Sequence, residues 1–368
     1  MKQYNFCRSA LAAFITGGLL IITGCGSGTT GGSSQADIQA AVSSSDIQPS
    51  TESSLASSIL PPSSEADHSS MGKSSLAVVA IEPPITPTSS APQASLRDST
   101  ARVLTPSADG TNVLGNSLAE IDASNLSEGY VMVRYLGSNS NVKLQLTKDG
   151  GSTYTYNLSS KGSYETFPLT SGSGKYTLNV YENVSGNQYA LACGESFQVS
   201  LTSNLRPFLY PNQYVNFSPG DDTIELGSKL ASSAANDLEV VEKIYDYVID
   251  NISYDFDKAA TATSGYLPNV DAIVSSGKGI CFDYAAVMVT MLRTQGIPTK
   301  LVVGYSGSIY HAWISVYITD VGWVNDIIYF DGTTWVRMDP TFASSAKSSP
   351  DIMKYIGNGS NYNAMFIY

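Results

Sequence analysis

Cys281 stands in the run Gly277-Lys278-Gly279-Ile280-Cys281-Phe282-Asp283-Tyr284-Ala285-Ala286, directly after a glycine-rich turn. Ala285, Met288, Val289 and Leu292 follow at helical spacing, and Gly296 and Pro298 end the run. A helix with one apolar face is therefore predicted to begin at the cysteine. In a first helical turn, unpaired backbone N–H groups and the positive end of the helix dipole favour the thiolate over the thiol, the condition for a nucleophilic cysteine. The same N–H groups are placed to donate to an oxyanion.

A thiolate nucleophile needs an imidazole to take and return a proton. Of the two histidines, His68 lies in a low-complexity stretch, which leaves His311. It opens His311-Ala312-Trp313-Ile314-Ser315-Val316-Tyr317-Ile318, whose alternation reads as a strand with His311, Trp313, Ser315 and Tyr317 on one face. Further on, Asp331-Gly332 signals a hairpin, and Trp335-Val336-Arg337-Met338-Asp339-Pro340-Thr341 follows it. A neighbouring antiparallel strand would set the Asp339 carboxylate beside the imidazole, fixing its tautomer. Each residue also has a structural reading: a lone histidine packs at a strand start, and Asp-Pro marks a turn.

These residues need a scaffold, and the first third of the chain does not supply one. Lys2 and Arg8 precede an apolar stretch from Ser9 to Ile22, and Ile22-Thr23-Gly24-Cys25 closes it. This looks like a bacterial lipoprotein signal peptide, over residues 1–25, with Cys25 as the lipidated residue. The expected location is extracytoplasmic, with the chain held to the cell membrane by lipid. Residues 26–115 are rich in Ser, Thr and Pro and are expected to be a disordered tether. With Cys7 removed and Cys25 lipidated, Cys193 and Cys281 remain. A disulfide between them is the bland reading for an exported protein.

From residue 116 to 205 the pattern alternates with period two: Val131-Val133-Tyr135, Val142-Leu144-Leu146, Tyr154-Tyr156-Leu158, Tyr176-Leu178-Val180 and Phe197-Val199-Leu201. With turns at Asp149-Gly150-Gly151 and Ser171-Gly172-Ser173-Gly174, this predicts an all-β, immunoglobulin-like sandwich. Cys193 shares an alternation face with Leu191 there, as a buried and inert thiol. Residues 206–368 are expected to form an α+β domain. Helices start near Asp221-Asp222 and after Asn236-Asp237, the second with Val241, Ile244, Tyr245 and Val248 as its apolar stripe.

Charged residues make up only 14% of the chain and the net charge is -12, which argues against nucleic-acid binding because phosphate neutralisation needs clustered Lys and Arg. There is no Cys-x-x-Cys, no paired histidine, no calcium loop and no phosphate-cradling glycine loop before Lys-Ser/Thr, so no metal or cofactor is expected.

In order along the chain stand G-x-G-x-C-x-D-Y-A, G-x-P, V-G-Y, H-A-W-x-x-V-Y and M-D-P-T-F, between about residues 220 and 345. Together they resemble the transglutaminase-like superfamily of papain-like cysteine enzymes. The resemblance implies a helix-borne cysteine packed on an antiparallel sheet, with Cys281 as nucleophile, His311 as general base and then acid, and Asp339 as its orienter. It also implies an aromatic oxyanion donor upstream of the cysteine, for which Tyr266 is the first candidate and Tyr254 the second. One departure is the longer stretch from Thr319 to Thr334, with Trp323 and Asp326, expected to extend a β-hairpin beside the site. Asp331 is an alternative acid that fits the turn better.

The implied reaction is acyl transfer from a peptide or glutamine carboxamide carbonyl, with hydrolysis slightly favoured over amine crosslinking. The expected partners are protein or peptide substrates at the cell surface and cell-wall material. The alternative is a non-catalytic surface-binding lipoprotein that keeps the fold.

Overall fold

The computed structural model describes residues 96–368 except 160, 264, 308, 320, 325–327, 331–334 and 338–361; residues 309, 328–330, 335–337 and Leu20–Ile22 are described as backbone alone. Cys25 lies outside the described residues. No described helix is long and apolar enough to cross a membrane.

The alternating segments form two sheets. Strands β1 (Leu20–Ile22), β5 (Val142–Lys148), β6 (Thr153–Asn157), β8 (Gly174–Ser185) and β9 (Gln188–Val199) make one, in the order β1-β9-β8-β5-β6. Strands β2 (Val113–Gly115), β3 (Ala119–Asp122), β4 (Tyr130–Tyr135) and β7 (Glu165–Pro168) make the other, in the order β2-β3-β4-β7. β1 runs parallel to β9, and every other pairing in these two sheets is antiparallel. Ile121, Val131, Val133 and Tyr135 from one sheet share a core with Leu144, Leu146, Tyr156, Leu178 and Val180 from the other. In β5 the period-two alternation does what it must when one face of a strand is buried, whereas β4 is buried on both faces.

Two expectations about this region are corrected. Val180 pairs with Cys193 and Tyr181 with Leu191, so Ala192 is the extra residue of a bulge. That bulge turns Leu191 outward, 47% exposed, while Cys193 stays buried. The two residues therefore do not share a face, although the thiol is buried as expected. Secondly, the tether cannot run to residue 115. β2 is already part of a sheet, and the Arg97 and Arg102 backbone N–H groups donate to Ala234 (2.9 Å) and Thr294 (2.7 Å). The Arg97 side chain also pairs with Asp237 at 2.5 Å.

The C-terminal part opens with α1 (Asp222–Ala231) and α2 (Asp237–Asn251). Asn236 caps α2 by accepting the Glu239 N–H at 3.0 Å, and Val241, Ile244, Tyr245 and Val248 form its buried stripe. α1 takes its cap from elsewhere: Asp271 accepts the N–H groups of Asp222 (3.1 Å) and Thr223 (2.9 Å). Next come β10 (Ser253–Tyr254), α3 (Phe256–Thr261), α4 (Val270–Ser276), β11 (Lys278–Gly279) and α5 (Cys281–Thr294). β12 (Thr299–Ser306), β13 (Ile309–Ile318), β14 (Gly322–Val324), β15 (Ile328–Phe330), β16 (Trp335–Arg337) and β17 (Tyr362–Ile367) follow. Their main sheet has the order β14-β13-β12-β17 and is antiparallel throughout.

α5 is buried on every side, not on the single face expected, because α1, α2, α4, β12 and β13 surround it. Its Met288, Val289 and Leu292 are fully buried, each side chain contributing about 1.5–3 kcal/mol relative to exposure. A charged residue on this helix must then find its partners internally. Arg293, wholly buried, donates to the main-chain oxygens of Thr299 (2.9 Å), Tyr210 (2.6 Å) and Tyr368 (2.9 Å). Burial pulls its guanidinium down to about 9.

The stretch expected to extend a hairpin does so in two parts. β14 pairs antiparallel with β13, and β15 with β16. Asp331-Gly332, between the latter two, lies outside the described residues.

Candidate active site

The approach to Cys281 is built by a short parallel pairing. β10 runs beside β11, with Ser253 opposite Lys278 and Tyr254 opposite Gly279. Gly277 closes α4 at φ +61°, a left-handed conformation that glycine adopts without penalty. A Cβ on Gly279 would meet the Asp283 side chain at 2.7 Å, so the second glycine answers a close approach. Cys281 is the first residue of α5 and 4% exposed.

Asp283 organises this entrance. It is wholly buried, and its carboxylate accepts the Ile280 N–H at 2.9 Å, Lys258 Nζ at 2.6 Å and the Tyr266 hydroxyl at 2.7 Å. The bond to Ile280 is the side-chain half of a capping box, and it leaves the first-turn N–H groups of Cys281 and Phe282 outside the cap. Lys258 also lies 4.8 Å from the centre of the Tyr266 ring.

Tyr266, expected as an oxyanion donor, thus commits its one hydroxyl proton to Asp283. Burial, with the bond to Asp283 and that residue's charge, raises its phenol well above the usual range. Tyr254, the second candidate, is half-buried, with its ring 5.0 Å from that of Phe256.

β13 packs against α5 and carries His311, which is buried, opposite Gly304 of β12. Its ring centroid is 6.4 Å from that of Trp313. Tyr310, one residue earlier, is pushed up to about 12, chiefly by burial, then by the nearby Tyr214, Tyr305 and Cys281. β13 thus lays the strand that bears His311 along α5, the helix that begins at Cys281. Asp339, Asp331 and Asp326 lie outside the described residues. Cys193 and Cys281 are both free, so the bland disulfide is not formed. Among the described residues no group of three or more His, Cys, Asp or Glu side chains is arranged to hold a metal ion.

A cluster of rings flanks the nucleophile. Phe282, the next residue, lies 5.5 Å from Tyr214, which is 4.5 Å from Tyr368 and 5.9 Å from Tyr156 of β6. Many of the tyrosines in the first two sheets therefore serve the interior; Tyr135, Tyr156 and Tyr176 are at most 2% exposed.

Three residues escaped the sequence reading: Lys258, Tyr310 and, in its structural role, Asp283. An acid three residues after the N-cap was a readable signal for Asp283. Nothing local marks Lys258.

The transglutaminase-like superfamily matches residues 224–340, the span that holds Cys281 and His311. These residues form a transglutaminase-like domain. The domain is mixed α/β, with an antiparallel main sheet. A curated relative, the uncharacterized protein YebA of Bacillus subtilis (strain 168), is 25% identical over 199 residues, covering 48% of this chain and 26% of its own. The chain thus spans about a quarter of that relative's length. Among solved structures, the periplasmic domain of TgpA from Pseudomonas aeruginosa is 14% identical, with a TM-score of 0.31, over 66% of this chain and 99% of that one. Red sea bream transglutaminase is 13% identical, with a TM-score of 0.28, over 62% and 53%. Similarity at that level says nothing of activity.

Proposed function

We propose that this chain is a cysteine enzyme of the transglutaminase-like type acting on peptide or glutamine carboxamide carbonyls. The observation that carries the reading is Cys281 at the first position of the buried helix α5, at a capped entrance, with β13, the strand of His311, packed on that helix. The Cys281 thiolate attacks the carbonyl carbon and a C–S bond forms, while the carbonyl electron pair moves to oxygen. The first-turn N–H groups of α5 stabilise that oxyanion. His311 gives its proton to the leaving nitrogen as the C–N bond breaks, and a thioester remains. Asp339 orients the imidazole. Water then gives hydrolysis, which we favour slightly, and a primary amine gives a crosslink.

On this reading the chain works outside the cytoplasm. Lipid on Cys25 holds it to the membrane, and the Ser/Thr/Pro-rich stretch lifts it clear. The immunoglobulin-like module serves as a rigid platform that meets surface protein or cell-wall material.

Incubation of the purified chain with a glutamine-containing peptide, with and without a primary amine, tests the proposal by mass spectrometry. Cleavage, deamidation or amine incorporation that disappears in Cys281→Ala is expected. Identical behaviour of the two proteins, with Cys281 alkylated no faster than a free thiol, would overturn it.

A further inference from the structure

The wholly buried Asp283 poses an electrostatic problem. Its carboxylate is needed where it is, because it holds the Ile280 N–H at the helix entrance and packs against Gly279. Yet it lies two residues beyond Cys281 on the same helical turn. An uncompensated anion within a turn of a forming thiolate, in surroundings of low dielectric, lowers the thiolate population by about tenfold or more.

The compensating charge is visible. Lys258 Nζ is 2.6 Å from Asp283 Oδ2. Its side chain remains 27% exposed while that of Asp283 is 0% exposed, so the ammonium keeps contact with water as it neutralises a carboxylate that has none. The delivery of this lysine is also built. Asp255 caps α3 by accepting the Lys258 N–H at 2.9 Å, and the Asp255 N–H donates to the Gly279 carbonyl at 2.9 Å. The short helix bearing Lys258 is thereby stapled to the same loop that leads into Cys281.

Resting on the reading of Cys281 as nucleophile, we propose that Lys258 is a positioning residue for it: its ammonium cancels the Asp283 charge, so the carboxylate holds the helix entrance without opposing the thiolate. The other titratable groups around the pair are Tyr266, with Asp255 beyond it; the one whose charge couples to Cys281 is Tyr310 of β13, with Tyr214 and Tyr305 beside it, and His311 follows Tyr310 on that strand. These stay constant in the comparison.

The test is the pH dependence of iodoacetamide alkylation at Cys281 in the full chain, read by mass spectrometry on the peptide that carries it, with a thermal melt of each variant. Lys258→Met is expected to move the midpoint up by about one pH unit and to slow alkylation near neutrality about tenfold. Asp283→Asn, which leaves the ammonium uncompensated, should move it down. The double variant returns close to wild type, and Lys258→Arg keeps the wild-type midpoint. Single variants that shift in the same direction betray loosened packing and overturn the proposal. So does an unchanged midpoint in a Lys258→Met protein that melts like wild type. If Lys258→Met does not fold, Asp283→Asn and the double variant still decide, since the double must lie above Asp283→Asn. Absence of turnover in a wild-type chain that shows this alkylation pattern would sink the proposed reaction while leaving the charge relation intact.

Discussion

The Cα of Gly279 approaches Asp283 so closely that a Cβ there would sit 2.7 Å from the aspartate's own Cβ. Neither partner can retreat easily, because Asp283 is tied to Ile280, Lys258 and Tyr266 and Gly279 is paired in β11. Gly279→Ala is therefore expected to destabilise the chain by about 1–3 kcal/mol, the usual cost of overpacking. Chemical denaturation measures this, and a change below about half a kcal/mol would show that the entrance yields.

Arg293 ties the end of α5 to three separate main-chain oxygens. Replacing it with Met fills much of the volume but leaves the main-chain oxygens of Tyr210 and Tyr368 without these donors. An expected loss of about 1–3 kcal/mol follows, the cost of a buried polar group left unmade, since the Tyr368 oxygen still accepts the Leu301 N–H. Urea midpoints of wild type and Arg293→Met check it; an equally stable variant would show that water satisfies those oxygens.

The buried tyrosines set an alkaline limit. Burial raises the Tyr214 phenol to about 12, with its bond to Tyr368 acting the other way, and Tyr310 is likewise raised to about 12. An unfolded chain loses these protons near pH 10. Between the two values the unfolded chain binds fewer protons than the folded one, so this contribution is complete below about pH 10 and is lost as pH rises toward about 12. Denaturant midpoints that stay flat through that window, or phenolate absorbance that titrates fully while the fold persists, would contradict the assignment.

Cys193 and Cys281 should behave differently towards a thiol reagent. Burial first, and the Glu195 charge second, push the Cys193 thiol up, and it carries no cap geometry at a helix start. Peptide mapping is expected to find Cys281 labelled in the native chain and Cys193 labelled only on unfolding. A linked peptide pair under non-reducing conditions would refute the free state of both.

Lys300 offers a test away from the site. Its ammonium lies 3.8 Å from the Trp323 ring centre and 5.3 Å from that of Phe208, and burial lowers its amine. Lys300→Ala is expected to cost about 1–2 kcal/mol through lost cation–π and packing contacts, and Lys300→Arg to recover most of it.

Where the chain's local chemistry is decisive, its sequence alone determined the outcome. A glycine turn, an apolar run at helical spacing and Gly296-Ile297-Pro298 specify a helix that starts at Cys281 and ends before β12, because caps and breakers act within one turn. Alternation likewise specified β5, since a strand with one buried face has no other economical pattern. Tertiary structure decided the rest. The bulge at Ala192 depends on how two long strands fit over twelve residues each, which no local pattern records. α5 reads as amphipathic yet is enclosed, because Arg293 finds its three main-chain partners only when neighbouring segments arrive. Tyr266 looked like an oxyanion donor until the fold delivered Asp283 to its hydroxyl. The partner of Asp283 is 25 residues away, brought in by the pairing of β10 with β11. A buried charge must be answered by whatever the folded chain brings within about 3 Å, and that distance is a property of packing.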